Sequence, residues 1–200
     1  MPGSRKDVRR RLQLAALELY GDQGYEQTTA AEIAARAGVT ERTFFRHFAD
    51  KREVLFGGEA VLGDALTSAM RNAPPGLGAW DTLFCAFQSV EQLFVENRPF
   101  AEPRRRVVAS SPALQERELA KVGALIAALA SALGERGVHN HLANLAAQMG
   151  MAALSHAVAS WLDDSSRDLG EHIVLAFHDV RKLAASGPEL ARGKQAAAKK

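Results

Sequence analysis

Between positions 41 and 48 the chain reads ERTFFRHF. At about 100° per residue, Phe44 and Phe48 share one helical face, and Arg42 and Arg46 point the opposite way with Thr43 beside them. Packing does not explain two guanidiniums, a hydroxyl and the His47 imidazole on the outer face of a helix of about two turns. Hydrogen bonding to phosphates and to base edges in a DNA major groove does.

A helix this short needs a second one to hold it. Thr29 and Glu32 form a T-x-x-E capping box, which predicts a helix from about Ala30. Ile33, Ala34 and Ala37 face inward along it. Gly38 tolerates the left-handed backbone that ends it, Val39 plugs the turn, and Thr40 is a good N-cap for the helix that follows. Residues 29–53 therefore read as a helix-turn-helix, the unit that seats one short helix in the major groove. Asp50 and Glu53 form a second capping box and predict a further helix from Lys51 to about Asn72. An ordinary helical hairpin inside a bundle accounts for the inward residues but not for the outward cations.

The rest of the chain is helical in pattern, with no period-two alternation. Val8, Leu12, Ala15 and Leu19 predict a first helix over about Arg5 to Gln23, ended by Gly24. Arg9, Arg10 and Arg11 near its start suit either the DNA backbone or a solvated face. Pro74, Pro75, Gly76 and Gly78 break the chain. A helix over about Ala79 to Asn97 is expected to stop at Pro99, with a short one at about Phe100 to Ala109. Ser111 and Pro112 supply an N-cap and N1 pair for a helix to about Gly134. Two more are expected at about 140–163 and about Ser166 to Ala185, the last closed by Gly187-Pro188.

Composition sets outer bounds. With 200 residues and 47% hydrophobic content, a sizeable core is available. No stretch is long and apolar enough to predict a membrane span. MPGSRKDVRRR runs into a charged helix without a signal-peptide core, and the single Cys85 can form no internal disulfide. A cytoplasmic protein is expected, with Cys85 a small core residue. Residues 1–56 hold 10 Lys/Arg against 8 Asp/Glu, residues 57–191 hold 11 against 15, and residues 192–200 hold 4 against none. A mildly basic head on an acidic body suits a protein that touches phosphates at one end. There is no Gly-rich phosphate loop, nucleophile motif or metal-ligand spacing, so an enzyme is not expected. His139, His141, His156, His172 and His178 lack a carboxylate-rich cluster, and neither metal nor cofactor is expected.

The segment LELYGDQGYEQTTAAEIAARAGVTERTFFRHFADKREVL resembles the TetR family of transcriptional regulators. The resemblance covers about residues 10–56; beyond them it rests on helix number and length. It implies an all-α protein of about nine helices. Residues 1–53 would be the DNA-binding domain, 54–188 the ligand-binding and dimerisation domain, and 189–200 a basic flexible tail. By position it implies that Thr40 caps the recognition helix and touches a phosphate, and that Arg42, Thr43 and Arg46 read bases or nearby phosphates. His47, Lys51 and Thr29 match backbone contacts. Phe45 departs from the family's usual tyrosine and cannot donate the hydroxyl's bond to phosphate; a sugar or a thymine methyl remains as its partner.

For the body the resemblance implies a cavity for a small lipophilic ligand, with an acyl-CoA one candidate. Leu62, Leu66, Met70, Trp80, Phe84, Phe87 and Phe94 are the expected lining, with Arg105 in a cationic run (Arg104 to Arg106) placed for an anionic headgroup. A packed core and a solvated charge run are the alternatives. It also implies a homodimer on palindromic double-stranded DNA, paired through the last two helices. Ala146, Gly150, Ala153, Ala157 and Phe177 are the expected interface, unless these helices only close the monomer's core. A dimeric DNA-binding protein with no small ligand stays open beside the ligand-released repressor.

Overall fold

The structure, a computed structural model, describes residues 5–164 and 166–186. The expected Gly187-Pro188 stop and basic tail lie outside the described residues. These form nine α-helices: α1 (Arg5–Gln23), α2 (Ala30–Arg36), α3 (Glu41–His47), α4 (Glu59–Asn72), α5 (Ala79–Ser89), α6 (Glu91–Ala109), α7 (Pro112–Glu135), α8 (Asn140–Asp163) and α9 (Leu169–Ala185). A 3-10 turn over Glu53–Phe56 precedes α4. Among the described residues no helix is long and apolar enough to cross a membrane.

Local signals set the head. Thr29 Oγ1 accepts from Glu32 N at 3.2 Å, and Glu32 Oε2 accepts from Thr29 N at 2.8 Å, a complete capping box. Gly38 takes φ +66°. Its N–H bonds Ala35 O at 3.0 Å, and Val39 N–H bonds Ala34 O at 2.9 Å, the paired bonds of a Schellman stop. Thr40 Oγ1 then caps Thr43 N at 3.2 Å.

Three expected boundaries are corrected. The helix expected from Lys51 is broken at Gly57-Gly58. Asp50 does cap Arg52 and Glu53 N–H groups, but the Glu53 carboxylate turns to Arg117 and Lys121 instead of closing the box. Arg9 donates to Gly57 O at 3.0 Å, and a Cβ on Gly57 would strike its guanidinium. Pro99 does not end a helix either: α6 runs through Pro99 and Pro103. The break falls at Val90 instead, where the Ser89 hydroxyl donates to Ala86 O at 2.7 Å. Finally, α9 starts at Leu169, because Asp168 rather than Ser166 supplies the cap to Glu171 N, at 2.7 Å.

Two apolar cores result. The head core joins α1, α2 and α3 to Val54, Leu55 and Phe56, and is completed by Phe100, Val107 and Val108 of α6 and Leu114 of α7. The body core is built from α4, α5, α7, α8 and α9, without Cys85, which is exposed on α5 rather than in a core. The helix-turn-helix thus stands on a platform made by the body's own helices.

Candidate nucleic-acid interface

Phe44 and Phe48 anchor α3 with no more than 3% exposure, their ring centroids 5.8 Å apart. That fixes the opposite face. Arg42, Phe45 and Arg46 are exposed there. Arg42 and Arg46 make no hydrogen bond or ion pair among the described residues, whereas Arg36 pairs with Glu18 and Arg52 with Asp50. Two free guanidiniums one helical turn apart can each present a planar fork to a guanine edge or a phosphate. Thr43 is half-buried, with its hydroxyl 3.1 Å from that of Thr40.

The residues expected to touch the backbone are placed differently. Thr29 is exposed, but its hydroxyl both donates to and accepts from Glu32 within the capping box. The Thr29 backbone and hydroxyl hold the Glu32 carboxyl below its usual range, so it stays charged there. His47 is half-buried, and its Nε2 is enclosed without a partner among the described residues. Burial first, then the nearby Arg46, Arg5 and Arg9 cations, push its imidazole below its ordinary range. Arg9 lies over Phe48 and donates to His47 O and Gly57 O, and Arg10 lies over Phe100. Two of the three early arginines are therefore committed inside the protein.

Lys51 is the clearest departure. Its ammonium donates to the carbonyls of Tyr25 at 2.8 Å, Thr28 at 3.0 Å and Glu26 at 3.1 Å, and sits over the Tyr25 ring. Tyr20 OH reaches back to Lys51 O at 2.6 Å. An ammonium has three donors, and all three are taken. The cage ties the segment before α2 to the segment after α3. Nothing local in the sequence announces it, since the partners lie 23 to 31 residues away. Lys51→Ala is therefore expected to destabilise the head by about 1.5–3 kcal/mol, the range for hydrogen bonds to a charged group. The salt dependence of DNA binding should keep its slope. Urea titration and a salt series check both; a slope lower by about one unit would return Lys51 to a phosphate contact.

The head–body junction carries ionic contacts that sequence spacing does not reveal. Glu53 pairs with Arg117 at 2.7 Å and Lys121 at 3.4 Å. Burial raises the Glu53 carboxyl, but these cations outweigh it and hold it below the usual range. Arg104 donates to Leu55 O at 2.7 Å, pairs with Glu118 and lies over Phe56.

In the body, Leu66, Met70 and Phe87 are fully buried, and Leu62, Trp80, Phe84 and Phe94 pack on the same core. Trp80, Phe84 and Phe87 gather around Phe177, with centroids 4.4, 5.3 and 5.8 Å away. The expected lining is thus brought together, as packed core. Two open grooves lie elsewhere: about 380 Å³ beside Arg11, Leu14 and Arg36, and about 460 Å³ between α7 and α8 beside Ala127, Ala130 and Asn144. Arg105 pairs with Asp163 and Arg106 lies near Glu102, so both cations of the run have a carboxylate beside them at the surface.

The expected dimer contacts are also turned inward. Gly150, Ala153, Ala157 and Phe177 are buried in the monomer's core, and Ala146 packs against it. A Cβ on Gly150 would meet Leu83 at 3.1 Å and Phe87 at 3.3 Å. The small stripe admits α5 within the chain. The outward face of α8 instead shows Leu142, Leu145, Met149 and Ala152, and that of α9 shows Val174, Leu175 and Leu183.

Residues 14–56 match the family described as bacterial regulatory proteins, tetR family, and residues 77–185 match the MftR C-terminal domain. The chain is similar to the HTH-type transcriptional regulator TcmR of Streptomyces glaucescens, 41% identical over 75 residues. That match covers 38% of this chain and about a third, 33%, of TcmR. It is also similar to the mycofactocin biosynthesis regulator MftR of Mycobacterium tuberculosis, 23% identical over 168 residues, 82% of this chain and 85% of the relative. Among solved structures it shares its fold with Thermus thermophilus FadR, a transcriptional repressor in complex with lauroyl-CoA. The TM-score is 0.56 at 24% identity, covering 92% of this chain and 99% of the other.

Proposed function

Because this chain belongs to the TetR family of bacterial regulatory proteins, and is thus a DNA-binding transcriptional regulator rather than an enzyme, we propose that it is a cytoplasmic repressor. It binds a palindromic operator as a homodimer and is released by a small, largely apolar ligand. The observation that carries the DNA contact is α3: anchored by Phe44 and Phe48, it leaves Arg42 and Arg46 outward and without a hydrogen bond or ion pair among the described residues. Thr40 and Thr43 at its start supply hydroxyls for the same surface.

One short helix is a small interface, so specific binding calls for two heads related by symmetry on two half-sites. Leu142, Leu145, Met149 and Ala152 follow each other at three- and four-residue steps along α8, the spacing of a helix–helix seam. With Val174 and Leu175 of α9 they form our choice for the dimer interface. Light scattering of the wild-type chain at micromolar concentration should give twice the 21.5 kDa chain mass. Leu145→Glu with Leu175→Glu should give the monomer and lose nanomolar operator binding. A wild-type monomer, or a double variant that stays dimeric, contradicts this interface.

A ligand shifts a regulator only by binding one state more tightly. The Glu53, Arg104, Arg117 and Lys121 contacts at the junction offer a path by which rearrangement of α6 and α7 would move the head. FadR's lauroyl-CoA complex supports an acyl-CoA as the first ligand to try. The packing of Leu66, Met70 and Phe87 favours the second reading, a dimeric DNA-binding protein with no small ligand. Titrating the operator complex with lauroyl-CoA and with free CoA separates the two. Release by the first alone supports the ligand reading; retention with both supports the second.

A further inference from the structure

Phe45 is an exposed apolar side chain on the face of α3 that carries Arg42 and Arg46. It is 53% exposed. It adds little to the head core, which Phe44 and Phe48 close beneath it. Its ring meets that of Phe44 edge-on, centroids 5.3 Å apart at 84°. Since Phe44 has no exposure at all, the Phe45 phenyl rests on a buried ring and stands at the surface.

A phenyl ring can neither donate nor accept a conventional hydrogen bond, so phosphates and the polar base edges are not its partners. Along the major-groove edges of the base pairs, the apolar group on offer is the thymine C5-methyl. Resting on the operator-binding reading above, we propose that Phe45 selects a thymine in each half-site by packing on that methyl. It is a specificity-determining residue beside the two arginines. Phe45 lies three residues after Arg42, about 4.5 Å further along the helix axis, while successive base pairs are about 3.4 Å apart. The thymine therefore falls within about two base pairs of the one that Arg42 reads.

Operator duplexes selected from a random pool by the full chain would be remade with deoxyuridine at each thymine in turn. Deoxyuridine removes the methyl and nothing else. Wild-type protein should lose about fourfold in affinity at one position per half-site, the worth of one buried methyl group, and about fifteenfold when both half-sites are changed. Phe45→Ala should bind thymine and uracil duplexes equally, with an unchanged salt slope because no phosphate contact is lost. Phe45→Leu, which keeps apolar contact, should retain the preference. Uracil tolerated at every position overturns the proposal, as does a Phe45→Ala protein that still discriminates. Phe45→Ala weakening all duplexes alike, with no thymine–uracil difference in the wild type, would place the ring on a sugar and also overturn it. A pool that yields no enriched sequence sinks the operator-binding reading instead, and the two failures are distinct.

Discussion

Gly150→Glu will unfold the body of this protein rather than split a folded dimer. Any side chain at 150 starts with a Cβ 3.1 Å from Leu83 and 3.3 Å from Phe87. Glutamate then adds a chain that the packed core cannot hold, and overpacking alone costs about 1–3 kcal/mol. Its carboxylate would also be buried among apolar groups with no partner, a penalty of several kcal/mol more unless it protonates. Together these approach the whole stability of an ordinary domain, about 5–15 kcal/mol. The expected result is loss of the cooperative helical melt by circular dichroism, with poor recovery of soluble protein. Gly150→Ala should melt cooperatively and stay within about 1 kcal/mol of the wild type, because only the Leu83 and Phe87 side chains must give and the better helix propensity of alanine offsets that crowding. A folded Gly150→Glu monomer melting near the wild-type temperature would restore the small stripe of α8 as an interface.

Gly150 also separates what is local in the sequence from what is not. The head was legible because its signals are local: Thr29 and Glu32 three residues apart, Gly38 at the turn, Thr40 at the next cap. The body was less so. α8 is apolar on two faces, Ala143, Ala147, Gly150 and Ala157 on one and Leu142, Leu145 and Met149 on the other, and periodicity alone does not say which meets a partner. Pro99 read as a stop because a proline removes one helical bond, yet α6 continues through it. The resemblance makes Lys51 a phosphate ligand, and nothing local shows the three carbonyls that occupy it. Glu53 with Arg117, and Arg104 with Leu55 O, join residues 64 and 49 apart, and no spacing rule reaches that far.

Arg42→Ala and Arg46→Ala will each cost about 1–3 kcal/mol of specific DNA affinity and relax one operator position, if each reads a base. Combined, they should lower affinity about 30-fold at the least. Neither guanidinium holds the protein together: both side chains are exposed, and neither forms an ion pair or hydrogen bond among the described residues. Their loss should leave the melting temperature within the small range of surface substitutions. Fluorescence titration against the selected operator and a scrambled duplex reads the specificity, and thermal melts provide the control. Unchanged affinity in both single variants would remove α3 as the reading element.

A two-fold DNA reader built on α3 is tested most directly by selection from a random duplex pool followed by footprinting. The predicted result is one enriched palindrome, protected on two half-sites whose centres lie about 34–36 Å apart, or somewhat more where the body holds the heads wider. A pool with no enrichment, or a footprint without two-fold symmetry, would contradict it.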